Sequence, residues 1–307
     1  MTPLQPQSVR PAPAPGAAHI VILKSNDNPL FDLAIRTFTQ QSTAEITVFS
    51  AADRTCVEPL IDAMRARQPD LLFVLGTPAA LLAKQYFTDT PVLFALVVNF
   101  ERHHLMELPN FMGIALEAPP ATEFAQFKMI APNVKRGLAF YSPTESRVLV
   151  ERARTDLQSM GVELDATAVE SPEQLQEKYA TLVPSVDAVW LLNDPAIMNA
   201  RTFAFLRAQT QAAHLPFFAS LSDRFAEGGA LASVSQDFAA LGSQAVAMSR
   251  RFLEQGVAPS TLGVQAPIGG YLAVNLDVAR QIGLEIADDI MPYINRLIES
   301  DTSTRER

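Results

Sequence analysis

Short polar residues stand just after several apolar runs of this chain, where they can hydrogen-bond a small molecule without making or breaking a covalent bond. Ser25, Asn26 and Asp27 follow the first run, and Asn26, Asp27 or Asn28 can equally cap a helix behind them. Gly76, Thr77 and Pro78 follow the third. Glycine lets a backbone approach closely, Thr77 offers a hydroxyl, and a helix N-terminus behind them favours an anion such as a carboxylate. The plainer alternative is an ordinary turn with a threonine cap. Asn99 and Phe100 follow the fourth run, with Phe100 able to stack on a flat ligand or to pack under the next loop. Further along, Tyr141 combines a ring face with a hydroxyl. Asn193 and Asp194 form another pair, Asp194 serving either as acceptor for a cationic group or as a cap before Pro195. Ser220 and Ser222 follow the run PFFA, Asp237 reads chiefly as a hinge or cap residue, and Trp190 as core.

Other chemistries find little support. Cys56 is the only cysteine, so it forms no intrachain disulfide or thiolate metal cluster, and a small apolar role near a helix start suits it. His19, His103, His104 and His214 have no metal-ligand spacing with Cys or carboxylates. No G-x-S-x-G elbow, G-x-G-x-x-G loop or Walker loop occurs. A non-catalytic protein with no metal and no cofactor is expected. The 307 residues are 48% hydrophobic and 19% charged, with a net charge of -9. That composition fits a globular chain of about two domains. It carries no basic footprint for nucleic acid. Apolar runs such as PVLFALVV are too short to span a membrane and read as buried strands. The first 18 residues have no apolar signal-peptide core, which leaves open a cytosolic chain or a mature form of an exported one.

The elements that must position these residues follow a βαβ rhythm. Short apolar runs (HIVILK, EITVFS, DLLFVLG, PVLFALVV, FMGIAL, KRGLAFY, VELDATAVE, DAVWLLN, PFFAS, ALASV, LAVNL) alternate with longer amphipathic ones, the pattern of parallel sheets covered on both faces. Helices are expected after Asn28, over Val57–Arg67, Pro78–Phe87, Pro143–Met160, Pro172–Leu182, Pro195–Ala213 and Phe238–Gln255. Thr77-Pro78, Ser142-Pro143, Ser171-Pro172 and Asp194-Pro195 read as N-cap plus first-turn proline. The plan repeats: five strands over residues 19–116, five more over 135–234, with APPATEFAQFKMIAPNV as a hinge-spanning helix between them. The predicted fold is α/β, two doubly wound parallel-sheet lobes joined by a multi-strand hinge. Lobe 1 takes residues 19–119 plus 237–267, and lobe 2 takes 120–236 plus 268–298. Residues 1–18 read as a disordered Pro/Ala-rich segment and 299–307 as a solvated tail. Ligands of open α/β sheets bind outside the carboxyl ends of the strands, which places a cleft between the lobes.

DLLFVLGTPAALLAKQ followed by TPVLFALV, then APNVKRGLAFYSPTES, VDAVWLLND, LPFFAS, GGALASVSQDFAALGSQAVAMSRRFLEQG and LAVNLDVARQIGLEI, in that order, resemble the ABC-transporter substrate-binding protein family with the type I periplasmic-binding fold. Its best-known members include tryptophan- and tyrosine-binding proteins. SQDFAALG also resembles the crossover segment of the lac-repressor sensor lobe. Where many family members carry a Ser-Asp pair, Asn99, Phe100 and Glu101 stand here. The resemblance implies a periplasmic or lipid-anchored monomer. It would capture a small solute, an aromatic amino acid or related compound, by hinge closure and deliver it to a cognate membrane permease. A sensor domain of the same fold that signals to a partner protein is the alternative.

Overall fold

In the computed structural model, residues 18–52, 57–98 and 100–300 are described. The expectations for the N-terminal Pro/Ala segment, Cys56, Asn99 and the end of the tail lie outside them. The chain divides into two compact units, one formed by residues up to Glu117 with Asp237–Gly269, the other by Ala118–Gln236 with Gly270 onward.

Unit 1 holds β1 (His19–Lys24), α1 (Pro29–Gln41), β2 (Glu45–Ser50), α2 (Val57–Arg65), β3 (Leu71–Leu75), α3 (Thr77–Tyr86), β4 (Val92–Ala95) and β5 (Phe111–Ile114). Alternate residues of each buried strand face opposite layers. Ile20, Ile22, Phe73, Leu75 and Leu93 pack with Phe38 of α1 and with Leu241, Ala245 and Phe252 from the returning chain. Val21, Leu23, Leu72, Val74 and Phe94 pack with Ile61 and Met64 of α2 and the alanines of α3. Strands covered on both sides must be apolar throughout, which is why LLFVL is continuous rather than alternating.

Unit 2 holds α4 (Pro120–Ile130), β6 (Arg136–Tyr141), α5 (Arg147–Ser159), β7 (Glu163–Ala168), α6 (Pro172–Leu182), β8 (Ala188–Leu191), α7 (Ala200–Ala212), β9 (Phe217–Ser220), α8 (Arg224–Glu227) and β10 (Ala232–Ser235). The chain then returns to unit 1 through α9 (Phe238–Leu253), α10 (Pro259–Leu262) and β11 (Val264–Gln265). It ends in unit 2 with β12 (Tyr271–Asn275), α11 (Leu276–Ile282) and β13 (Arg296–Ile298). The sheet orders are β11-β5-β4-β3-β1-β2 and β13-β12-β10-β9-β8-β6-β7. Five strands of each sheet thus share one order, and among the described residues the one antiparallel pairing is β12 on β10, with β13 running parallel to β12. Gly242 on α9 lies against α1 so closely that an added Cβ would sit 2.5 Å from the Ala34 carbonyl oxygen.

Several expected boundaries move. The α5 helix starts at Arg147, not Pro143, because the Ser142 carbonyl closes a turn by accepting the Glu145 and Ser146 N–H groups at 3.1 and 2.9 Å. The α7 helix starts at Ala200, not Pro195. Asp194 closes a separate turn, and Asn199 caps the helix by accepting the Thr202 N–H at 2.9 Å. Proline's fixed φ suits a turn as well as a first helical position. PVLFALVV is strand only to Ala95, since Leu96 takes a left-handed φ of 59°. The N-cap position of α3 is Gly76, and Thr77 is the first helical residue. Ser171 does cap α6, accepting the Gln174 N–H at 3.3 Å.

Candidate functional site

In unit 1 the loops after β1, β3 and β4 are neighbours, as those strands are adjacent. Gly76 has φ +90°, and a Cβ there would meet the Ser25 Oγ at 2.6 Å, so only glycine fits. Ser25 is buried. Its Oγ donates to the Leu75 carbonyl at 2.8 Å and accepts the Ala79 N–H at 2.9 Å, locking the start of α3. One donor of that helix end is therefore already used. Thr77 is half-buried, and its Oγ1 accepts the Val98 N–H at 3.2 Å, tying the β3 loop to the β4 loop. Pro78 lies beside it, half-buried.

The β1 loop is exposed. Asn26 makes a local turn by accepting the Asn28 N–H at 3.0 Å, and Asn28 caps α1. Asp27 accepts from the Ser50 hydroxyl at 2.9 Å and pairs with Lys24 at 3.1 Å. Lys24 also meets Asp32 at 2.9 Å. The Ser50 hydroxyl and then Lys24 hold the Asp27 carboxyl below the usual range, while the Asp32 hydrogen bond raises Lys24. Phe100 packs into the unit 1 core, its ring centroid 5.7 Å from that of Phe94.

In unit 2 the loops after β6, β8, β9 and β10 are likewise adjacent. Tyr141 ends β6, half-buried at the rim of the core. Asp194 is 1% exposed, and its carboxylate accepts the N–H groups of Ser142 (2.6 Å), Ala196 (2.9 Å) and Ile197 (3.3 Å). That geometry makes it a cap joining the β6 and β8 loops. Asn193 lies half-buried beside it. Ser220 is buried at the end of β9, donating to Glu123 at 2.5 Å and accepting from the Trp190 indole N–H at 3.0 Å. Trp190 is core, edge-on to Phe124 with centroids 5.1 Å apart. Ser222, half-buried, accepts the Arg224 N–H at 3.3 Å. Asp237 caps α9, accepting the Ala239 and Ala240 N–H groups at 2.9 Å each.

Two leucines mark these strand ends. Leu96 after β4 and Leu221 after β9 have φ of 59° and 75°, at corresponding places in the two sheets. Such a conformation costs a branched residue about 1–2 kcal/mol, and strained backbone clusters at functional sites. The Leu221 N–H to Val234 carbonyl bond, 2.9 Å, holds its loop in place.

Sequence reasoning did not single out Glu123, Gln126 or Gln236. Glu123 and Gln236 are buried, at 5% and 8% exposure. The available signal for Glu123 was a carboxylate beside Phe124 and Phe127 on the apolar stripe of α4. Among the described residues, no group of three His, Cys, Asp or Glu is placed to hold a metal ion, and no helix is long and apolar enough to cross a membrane.

The family model described as ABC transporter substrate binding protein matches residues 42–297. The chain belongs to this family. It is a solute-binding protein, and the family implies a small-molecule ligand and an ABC permease partner. No curated protein sequence matches it. Among solved structures, it is similar to a substrate binding protein with adhesive properties from Clostridium difficile, in a ligand-free, open structure. That match has 19% identity and a TM-score of 0.74, and covers 92% of this chain and 100% of that one. It is also similar to an ABC domain in complex with L-Trp from Streptococcus pneumoniae, at 24% identity and TM-score 0.58, with 92% and 100% covered. A conserved domain protein from Vibrio cholerae matches at 20% identity and TM-score 0.57, with 91% and 99% covered. At these identities the likeness establishes the fold, that of type I periplasmic-binding proteins with two parallel-sheet lobes.

Proposed function

We propose that this substrate-binding protein is the extracytoplasmic receptor of an ABC importer, and that it captures one small solute between its two units by hinge closure. The observation that carries this reading is the matched construction of the strand ends. In each unit, adjacent loops at the carboxyl edge of a parallel sheet are fixed by buried side chains, Ser25 in one and Asp194 in the other. Each unit also keeps a strained leucine there. Rigid loops leave Thr77, Pro78, Tyr141, Asn193 and Ser222 as half-buried contact groups. Ser25, Ser220, Asp194 and Asp237 support them from below, and Asn26, Asp27 and Phe100 lie at the margin.

Binding energy supplies the work. A solute that touches both units only when they are closed shifts the population towards that state. A micromolar ligand provides about 8 kcal/mol in total, part of which offsets closure. No bond is made or broken, so no nucleophile or general base is needed. Because a neighbour of this fold is complexed with L-Trp, aromatic amino acids are the first probes. A thermal-denaturation screen with amino acids and other small metabolites tests the reading: a solute at ~100 times its Kd adds roughly 2.7 kcal/mol of stability. A screen in which no solute raises the melting temperature argues against solute capture.

A further inference from the structure

The carboxyl edge of the unit 2 sheet holds more hydrogen-bonding capacity than the protein uses. Gln236 is 8% exposed, yet neither its side-chain nitrogen nor its oxygen has a hydrogen-bond partner. The Gln126 Oε1 is buried without a partner as well, and the Gln126 Nε2 makes only a long 3.4 Å bond to the Gly270 carbonyl. The Gln126 amide and the Val234 side chain both crowd Gly270, each about 3 Å from where a Cβ would be (3.0 and 3.1 Å). Gln236 is two residues beyond Val234, just past the end of β10, and Ala232 and Val234 pack in the core cluster that holds Phe124 and Phe127 of α4. Ser220 pairs with Val234 across the sheet, and its hydroxyl is aimed by Glu123 and Trp190. Glu123 and Gln126 stand three apart on α4, hence on one side of that helix.

A buried amide left unpaired is costly, and native proteins rarely keep one without a use. A glutamine amide is planar and presents a donor and an acceptor side by side, which matches a second coplanar donor–acceptor edge in a bidentate pair. We propose that Gln236, with Gln126, is a specificity-determining residue of the unit 2 subsite, and that it selects solutes carrying a neutral amide-type edge, a carboxamide or cyclic imide, over the corresponding carboxylates. A carboxylate offers acceptors only, so it leaves the Gln236 oxygen unpaired and meets the Glu123 carboxylate nearby. The inference rests on the solute-capture reading and deepens it.

The test uses the full chain and three matched probe sets: asparagine against aspartate, glutamine against glutamate, and succinimide against succinate. Binding is read by melting temperature and by the fluorescence of Trp190, the only tryptophan in the chain, whose indole N–H lies on Ser220. An amide or imide member should bind at least about tenfold more tightly than its carboxylate counterpart. Gln236→Leu should abolish that preference and raise the melting temperature of the solute-free protein, so the loss is not unfolding. Gln126→Met should weaken the same solute. If carboxylates bind as well as amides, or Gln236→Leu leaves the preference intact, the inference is overturned while solute capture stands. If no probe here and no metabolite in the wider screen binds the unaltered protein, both fail together.

Discussion

The Asp194 carboxylate accepts the Ser142 main-chain N–H at 2.6 Å, so one buried side chain joins the loops that follow β6 and β8. The same carboxylate accepts from Ala196 and Ile197. Asp194→Ala strips an acceptor from three backbone donors and should destabilise the protein by about 2–4 kcal/mol. Asp194→Asn keeps one amide oxygen and should cost less. Urea denaturation of the three proteins checks the order, and an alanine variant within 0.5 kcal/mol of wild type (about the noise of a neutral surface change) would show that the loops do not depend on it.

Gly76→Ala should be destabilising by at least about 2 kcal/mol. Its Cβ would lie 2.6 Å from the Ser25 Oγ, and its φ of +90° disfavours any side chain. Ser25→Ala in the same chain should recover at most part of the steric cost, since the backbone strain and the 3.0 Å approach to the residue 25 Cβ remain and the Ala79 N–H loses its acceptor. Equal stability of Gly76→Ala and wild type in chemical denaturation would contradict the geometry.

Tyr179 gives a pH signature. Burial pushes its hydroxyl up to about 12, and that buried hydroxyl has no hydrogen-bond partner. A folded pKa above the unfolded value near 10 favours the fold while the phenol is protonated. That contribution is present below about pH 10 and is lost as pH rises towards 12, a loss of order 2 kcal/mol. Tyr179→Phe should be neutral or slightly stabilising at pH 7, and should flatten the alkaline decline. A variant that unfolds with the same alkaline profile as wild type would assign the decline elsewhere.

Much of the fold was legible because parallel strands covered on both sides must be apolar throughout. HIVILK, LLFVL and RGLAFY therefore announce themselves. The lapses have a common cause. Ser142-Pro143 and Asp194-Pro195 look like helix starts, but a proline φ serves turns equally, and here each closes a local turn onto the Ser142 carbonyl or the Asp194 carboxylate, the two turns being joined by the long-range Ser142–Asp194 bond. The α11 helix and β13 were missed because they are short, and β13 depends on pairing with β12 rather than on a strong local pattern. At the strand ends, residue type did not distinguish contact groups from supports. Ser25 and Thr77 are both hydroxyls, yet one is buried under α3 and the other half-buried above it. The unpaired amide of Gln236 had no sequence signature, because an orphaned hydrogen bond exists only in three dimensions.

Calorimetric titration of one solute into wild type, Thr77→Ala and Tyr141→Ala measures most directly whether both sheets hold a single guest. One solute should bind per chain. Each substitution, although the two residues belong to different units, should weaken it by about tenfold, the cost of one lost polar contact, in a free protein that still unfolds cooperatively at a modestly lower midpoint, since Thr77 holds the Val98 N–H and Tyr141 packs on the unit 2 core. Undiminished affinity in either variant, or two independent solutes per chain, would contradict capture by closure of the two units over one ligand.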